Sequence, residues 1–489
     1  MAILGPDGKP VSSGPPTPPE VVEMVKQAQQ LAGEGNLPQA LQQMAFAFQM
    51  DVSSDTVINA TCELLKQMAQ AAGDPNSFEL QLFEVIRENR ENSEGYYQIG
   101  SHFFQVGQTF IAGPFLFRAR QLAGAAVDQM SLQIDVELGQ VLMELSEYQG
   151  AVECFQRLND NYGGLPLELI LKMSECFGLL RKTEEAHMLY DLIPEEDITQ
   201  NQPILEWFEE TGDLLARVED FEEEEEELDL RAWHYVQTRS MLLASNPDEN
   251  VPGERFIFFQ PSEQDVAQII GLAAAALDQK GYAPNRIVWL GESSEALART
   301  FAEWWEVEPD NLRLYKPGDN ADAENELTLL VMSHSYDFTH LISPEEVERL
   351  GDNQEALMQL QNDRLSELVL AREGMIIFML DVRWTERQPI TPDIAGFLSQ
   401  VCNLPWENRL SIDAETQTAS PIEETRDSAT IAKDVAKGFP SEEECESYAR
   451  DLLEDYAMCT DLILDHRDGS LKRKSMVTHS PMKSPRFGY

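Results

Sequence analysis

The stretch DVELGQVLMELSEYQGAVECFQRL, Asp135 to Leu158, sets Gly139 inside one apolar helical pattern and Ala151 inside the next, with a polar break between them. Glycine costs stability in a helix interior, so a reason for its presence is needed. Two helices packed closely supply one: small residues let the backbones approach, and large apolar residues fill the space beyond. The same positions recur in YYQIGSHFFQVGQTFIAGPFLFRARQL from Tyr96 and in ILKMSECFGLLRKTEEAHMLYDLI from Ile170. The first helix of each copy holds Gly100, Gly139 or Ser174, followed three residues later by Phe103, Leu142 or Phe177. Twelve residues after the small residue comes Ala112, Ala151 or Ala186. Leu116, Phe155 or Tyr190 then stands four further on, and Ala119, Leu158 or Ile193 three beyond that. Successive alanines are 151 − 112 = 39 and 186 − 151 = 35 residues apart.

An earlier segment fits through Ala28, Leu31, Ala40, Met44 and Ala47. This pattern resembles the tetratricopeptide repeat, whose unit is ~34 residues. The resemblance covers residues 20–245, with weaker copies near 56–90 and 204–235. It implies helix pairs stacked into a superhelix, each burying the apolar face of its neighbour. Pro114 and Pro166 are expected to shift helix starts. The family's carboxylate-clamp form needs lysines and arginines on the first helices; this segment has few, so an acidic C-terminal peptide is not the expected partner. In FEEEEEELDL, Phe221 to Leu230, the glutamates are expected on a solvated terminal face, with Phe221, Leu228 and Trp233 packed inward.

Over the 489 residues, 86 acidic side chains face 36 basic ones, for a net charge of −50. Such a surface repels phosphate backbones and anionic lipids, which excludes nucleic acid and membrane as expected partners and favours a basic peptide or protein. No apolar run reaches the ~20 residues of a membrane span. The Pro/Gly-rich residues 1–19 read as a disordered leader, not a signal peptide. Cys62, Cys154, Cys176, Cys402, Cys445 and Cys459 form no CxxC pair and read as reduced core residues. The seven histidines show no HExxH spacing, so neither metal nor cofactor is expected. The location expected is a bacterial cytoplasm.

NPDENVPGER contains a turn-rich linker, 246–254, after which the pattern changes. FIFFQ, RIVWLG, LRLY, LTLLVMS and MIIFMLDV read as strands alternating with helices. The fold class expected is therefore α + α/β: an N-terminal α-solenoid, then a three-layer, Rossmann-like parallel sheet over residues 255–410. In RIVWLGESSEALART, a strand meets Gly291, Glu292, Ser293 and Ser294 before a helix. That arrangement suits an anion at the helix N-terminus, with Ser293 or Ser294 as cap. The dinucleotide fingerprint would need glycine at Ser293 and Ala296, Glu292 sets a negative charge at the turn, and the next strand ends in Lys316. The second candidate edge, VMSHSYDFTH, gathers Ser333, His334, Ser335, Tyr336, Asp337 and His340, with His334 read as a loop residue bonded to nearby backbone.

Over about 60 residues, the order of glycine turn, helix and strand resembles the Rossmann domain of XdhC-type maturation factors. Ser333, His334 and Asp337 stand at that family's loop. LGESSEALA is similar to the pyrophosphate loop of phosphoribosyltransferases, but Val331 and Met332 replace that family's acidic pair. The ligand-binding set is Gly291, Glu292, Ser293, Ser294, Ser333, His334 and Asp337. No GxSxG elbow supports a hydrolase, and no catalytic residue is assigned. Residues 411–440 read as a polar linker. Ser441 and Glu444 form a capping box opening a docking helix over 441–467, whose apolar face runs through Tyr448, Leu452, Tyr456, Cys459 and Ile463. Residues 468–489 are basic and expected to be disordered, to fold back on the acidic body or to dock in another molecule. The function expected is a scaffold that holds a partner protein or peptide in the solenoid's concave face. The alternative is a small-ligand binder or enzyme using the loops at 290–295 and 332–340.

Overall fold

The computed structural model describes residues 17–73, 77–194, 198, 201–221, 228–244, 255–316, 327–351, 353–370, 374–384, 390–407, 409–412, 419–422, 424–465 and 486–487. It divides into two units, Met1–Phe208 and Glu209–Tyr489. The division falls earlier than the solenoid end expected near 245, because the segment that follows residue 208 supplies a helix and a strand to the second unit. No helix among the described residues is long and apolar enough to cross a membrane.

The first unit is built of helix pairs: α1 (Pro19–Gly33) with α2 (Leu37–Asp51), α3 (Asp55–Ala72) with α4 (Phe78–Glu88), α5 (Ser93–Gln105) with α6 (Thr109–Ala123), α7 (Gln129–Glu144) with α8 (Tyr148–Tyr162), and α9 (Leu167–Leu179) with α10 (Thr183–Tyr190). Four of the five pairs turn in the same way. Gly35, Gly107, Ser146 and Arg181 take positive φ of 84°, 76°, 63° and 55°. The next residue's N–H then reaches back to a carbonyl five positions earlier: Asn36 to Leu31, Gln108 to Phe103, Glu147 to Leu142, and Lys182 to Phe177. This left-handed cap satisfies carbonyls the helix end would leave unpaired. Phe103, Leu142 and Phe177 are the residues that mark the repeat in the sequence, so their spacing records the turn as well as the core. Phe103 is buried, whereas Leu142 and Phe177 are only half-buried.

The small residues sit where two backbones meet. A methyl group added at Gly100 would fall 2.6 Å from Leu116 Cγ, and one at Gly139 would fall 2.5 Å from Phe155 Cε1. At the third copy the Ser174 hydroxyl donates to the Ala186 carbonyl at 2.8 Å. Ala112, Ala151, Ala186, Leu116 and Phe155 are fully buried, and Tyr190 stacks on Phe208 at 4.1 Å. Asp135, 3% exposed, is held by Arg120 at 2.9 Å and Arg157 at 2.8 Å. Pro114 lies inside α6 and shifts no start; Pro166 directly precedes α9. Gly139→Val should overpack this contact and cost about 2–3 kcal/mol. The helical transition in circular dichroism should then melt roughly 5–10 °C lower. Gly33→Ala, with no atom within 4 Å of the new methyl, should leave it unchanged or raise it. Equal melting of both variants would refute the close-packed register.

The second unit is a parallel sheet in three layers. Its strands are β1 (Met241–Leu242), β2 (Arg255–Phe259), β3 (Arg286–Leu290), β4 (Leu312–Leu314), β5 (Thr328–His334), β6 (Met375–Arg383), β7 (Ile394–Cys402) and β10 (Arg486–Phe487). Their order is β10-β2-β7-β6-β5-β3-β4, with β1 also beside β7. β8 (Arg409–Ile412) and β9 (Ala419–Ile422) pair as a separate antiparallel hairpin. Helices Glu263–Gln279 and Ser294–Trp305 cover the face of Phe378 and Gly396; Phe301 meets Phe378 at 4.9 Å and Ile269 reaches Gly396. Leu365 and Leu368 of helix Gln354–Leu370 and Leu230 of helix Leu230–Thr238 pack on the other face, with Val288, Leu330, Ile377 and Met379. Near-continuous apolar strands are what a sheet covered on both faces requires.

Several expectations change here. The 411–440 segment is more than a linker, since it carries the hairpin strands and helix Ser428–Ala436, with Ile431 and Val435 buried. Residues 246–254 and the glutamates Glu222 to Glu227 lie outside the described residues, but Phe221, Leu228 and Trp233 are buried. Helix Glu442–Asp455 opens on the Ser441–Glu444 capping box and packs Cys445 against Gly271. Tyr448 belongs to the outer face, 51% exposed, whereas the Tyr456 hydroxyl accepts from the Leu242 N–H at 2.8 Å. Of the basic tail, Arg486 and Phe487 add to the sheet edge beside Phe256 and Phe258; the rest lies outside the described residues. All six cysteines are free and buried.

Candidate functional site

Strand order reverses between β3 and β5: β4 continues to one side of β3, while β5, β6 and β7 run to the other. In open parallel sheets, ligands settle beyond the strand ends at such a point. Both candidate loops from the sequence lie there. Gly291 follows β3 with φ 85°, and Ser333 and His334 end β5.

The anion position at this turn is taken by the protein's own Asp337. Its Oδ2 accepts from the Ser294 hydroxyl at 2.8 Å, the Ser333 hydroxyl at 2.8 Å, the Ser333 N–H at 2.9 Å and the His334 N–H at 3.1 Å. A Cβ at Gly291 would lie 2.7 Å from its Oδ1, so glycine is required here by both φ and space. Ser333 N–H also donates to Ser294 Oγ at 2.7 Å. Asp337, Ser333 and Ser294 are buried. Neither serine caps the helix as expected: Ser293 makes no side-chain cap bond, and Ser294 is spent on Asp337. The negative charge at the turn comes from Asp337, not from Glu292, which is exposed.

His334 is no loop residue bonded to backbone. It is the last residue of β5, 1% exposed, and its ring stacks on Tyr336 at 4.7 Å. Its Nε2 lies 3.0 Å from Glu407 Oε2, and its Nδ1 lies 3.9 Å from Asp381 Oδ2. Asp381 is its registered partner on β6. Burial alone would depress the imidazole, but the neighbouring Asp381 and Glu407 carboxylates outweigh it and raise the pKa to about 9. Burial pushes the Glu407 carboxyl up, and the bond with His334 more than reverses this, leaving it lowered. Glu407 also accepts from the Leu404 N–H at 3.1 Å. The Cys402 thiol, at the end of β7, is held well above its usual value by burial and then by the charges of Asp381 and Glu407.

The structure therefore brings Gly291, Ser294, Ser333, His334 and Asp337 together, and leaves Glu292 outside. Sequence reading missed Asp381 and Glu407, and took Cys402 only as a reduced core residue. A lone acid in the apolar run MIIFMLDV was the available signal for the first. Trp304 and Trp305 both donate to Asp278, at 3.1 and 2.7 Å.

On the helical unit, a groove of about 330 Å³ is lined by Ala28 and Ala32 of α1, Met44 of α2, and Glu63, Leu64 and Gln67 of α3. Its floor is apolar, and its rim carries an acid, Glu63, and two amides, Gln29 and Gln67.

No family model matches the chain. No curated protein matches it either. Among solved structures it is similar to Pseudomonas aeruginosa pilF, at 17% identity over 41% of this chain and 85% of that one, with a TM-score of 0.23. It is also similar to the MamA protein, at 17% identity over 43% of this chain and 98% of that one, with a TM-score of 0.19. The helix-pair repeat stands on the recurring turn and the close contacts described above.

Proposed function

We propose that the chain is a protein-interaction scaffold whose tetratricopeptide-like helical unit holds a partner peptide or helix. The observation that carries this reading is the groove between α1 and α3. Alanines at Ala28 and Ala32 leave room for a small apolar anchor beside Leu64, while Glu63 and Gln67 supply an acceptor and a bonding amide at the rim. Burial of an apolar anchor would hold the partner, and the net charge of −50 would steer basic sequences toward it. The appended unit, Rossmann-like in layering, is proposed to be non-catalytic. A phosphate or nucleotide at the Gly291 turn is the competing reading, and Asp337 weighs against it by occupying the anion position with four hydrogen bonds.

Affinity capture from a cell lysate with the full chain tests the reading. Ala32→Trp fills the groove and Glu63→Lys reverses its rim. Each should cut recovery of the captured partner by about tenfold or more, a loss of about 1.4 kcal/mol, while the melting profile stays that of the parent. Unchanged recovery by both variants would discard the groove as the binding element.

A further inference from the structure

The C-terminal ends of three adjacent strands, β5, β6 and β7, place an imidazole, a carboxylate and a thiol side by side. We propose that His334, Asp381 and Cys402 together bind one divalent transition-metal ion of zinc type.

One donor atom from each residue lies within 4.8 Å of the donor atoms of the other two. A tetrahedral zinc ion with bonds of ~2.0–2.3 Å holds its ligand atoms ~3.3–3.8 Å apart. Closing the site therefore asks the donor separations to shorten by at most roughly 1.0–1.5 Å. The strands fix the donors: His334 and Asp381 are paired in the β5–β6 register, and Cys402 ends the neighbouring strand. The donor set selects the ion. Thiolate and imidazole disfavour magnesium and calcium and suit zinc or cobalt.

Two further features point the same way. Asp381 is 1% exposed and its Oδ1 has no hydrogen-bond partner among the described residues. A buried carboxylate oxygen in that condition is costly unless a cation meets it. The other side of the imidazole is already arranged as metal-bound histidines are. Nε2 lies 3.0 Å from Glu407, which the Leu404 N–H holds in place. A metal-ligating histidine nearly always gives its second N–H to a carboxylate, a carbonyl or a water, which fixes the ring and raises its donor strength. On binding, the Nδ1 proton and the thiol proton pass to solvent, and the metal takes their place beside Asp381.

The residues are enclosed, so the ion is loaded as the chain folds. The full chain is produced in zinc-supplemented cells, purified without an affinity tag, dialysed against a weak chelator and assayed for metal. About one equivalent of zinc per chain is expected. Cells supplied with cobalt should yield protein with a thiolate-to-cobalt charge-transfer band in the near ultraviolet. Cys402→Ser, nearly isosteric, should abolish the band and lower zinc content at least fivefold. Asp381→Asn should lower zinc content while its thiol remains. Cys176→Ser, which alters a buried thiol of the helical unit, should keep both readouts. Protein carrying less than about a tenth of an equivalent would overturn the proposal. So would a metal content and cobalt band that Cys402→Ser leaves intact.

Discussion

Asp337→Ala should destabilise the second unit by about 4 kcal/mol or more. The carboxylate is 1% exposed, and its Oδ2 alone serves two hydroxyls and two backbone N–H groups. The Ser294 and Ser333 hydroxyls can turn toward each other, being 3.1 Å apart. The His334 N–H has no such recourse. A buried donor left without an acceptor costs about 1–3 kcal/mol, and more when the lost partner was charged. Six of the seven tryptophans lie beyond residue 208, so their fluorescence reports this unit. Its urea midpoint should fall by roughly 1.5–2 M for a slope of 2–3 kcal/mol per molar. A fall below about 0.5 M would mean that Asp337 is incidental. Gly291→Ala supplies the coupled test. In the parent it meets both the φ of 85° and the Asp337 carboxylate at 2.7 Å. In the Asp337→Ala background only the backbone strain of about 1–2 kcal/mol remains. The two substitutions should therefore be clearly less than additive.

Below pH 6.5 the second unit should lose stability on account of His234. This residue, on helix Leu230–Thr238, is 2% exposed, and neither ring nitrogen has a partner among the described residues. Burial lowers its pKa from 6.5 to about 3. The unfolded chain therefore takes up a proton that the folded one refuses. Stability from this residue is complete above pH 6.5 and is lost as pH falls toward 3. The slope is about 1.4 kcal/mol per pH unit, reaching about 5 kcal/mol over the whole interval. His234→Leu should remove that slope and hold or raise stability at neutral pH, since an apolar side chain suits the site. Parallel urea titrations of parent and variant between pH 7 and 5 measure it. Identical slopes would rule out a buried neutral imidazole.

The parts legible in the sequence were those governed by local periodicity. The glycine, alanine and large apolar positions of the repeat are set by helix-on-helix contact and by the left-handed turn, both of which act within about one repeat length. The runs at Arg286, Leu327 and Met375 declared themselves as strands because both their faces are covered. β7 went unread because ITPDIAGFLSQVC mixes glycine, serine and glutamine into the run. Gly396 is nonetheless needed there, since a Cβ would lie 2.5 Å from the Leu380 carbonyl oxygen. The two-residue strands β1 and β10 carry no periodicity at all.

The candidate site divides in the same way. The sequence by itself marked Gly291, Ser294, Ser333, His334 and Asp337, because a strand running into a turn with small polar residues leaves a local trace. It also determined a helical repeat followed by alternating strands and helices, and the acidity of the whole. Tertiary structure alone decided what those residues do. Ser294 and Asp337 are 43 positions apart and His334 and Glu407 are 73 apart, yet each pair shares a hydrogen bond. Parallel strands joined by long crossovers align their C-terminal ends regardless of separation in the chain. That alignment put a carboxylate of the protein's own into the anion position, and set His334 against Asp381 and beside Cys402.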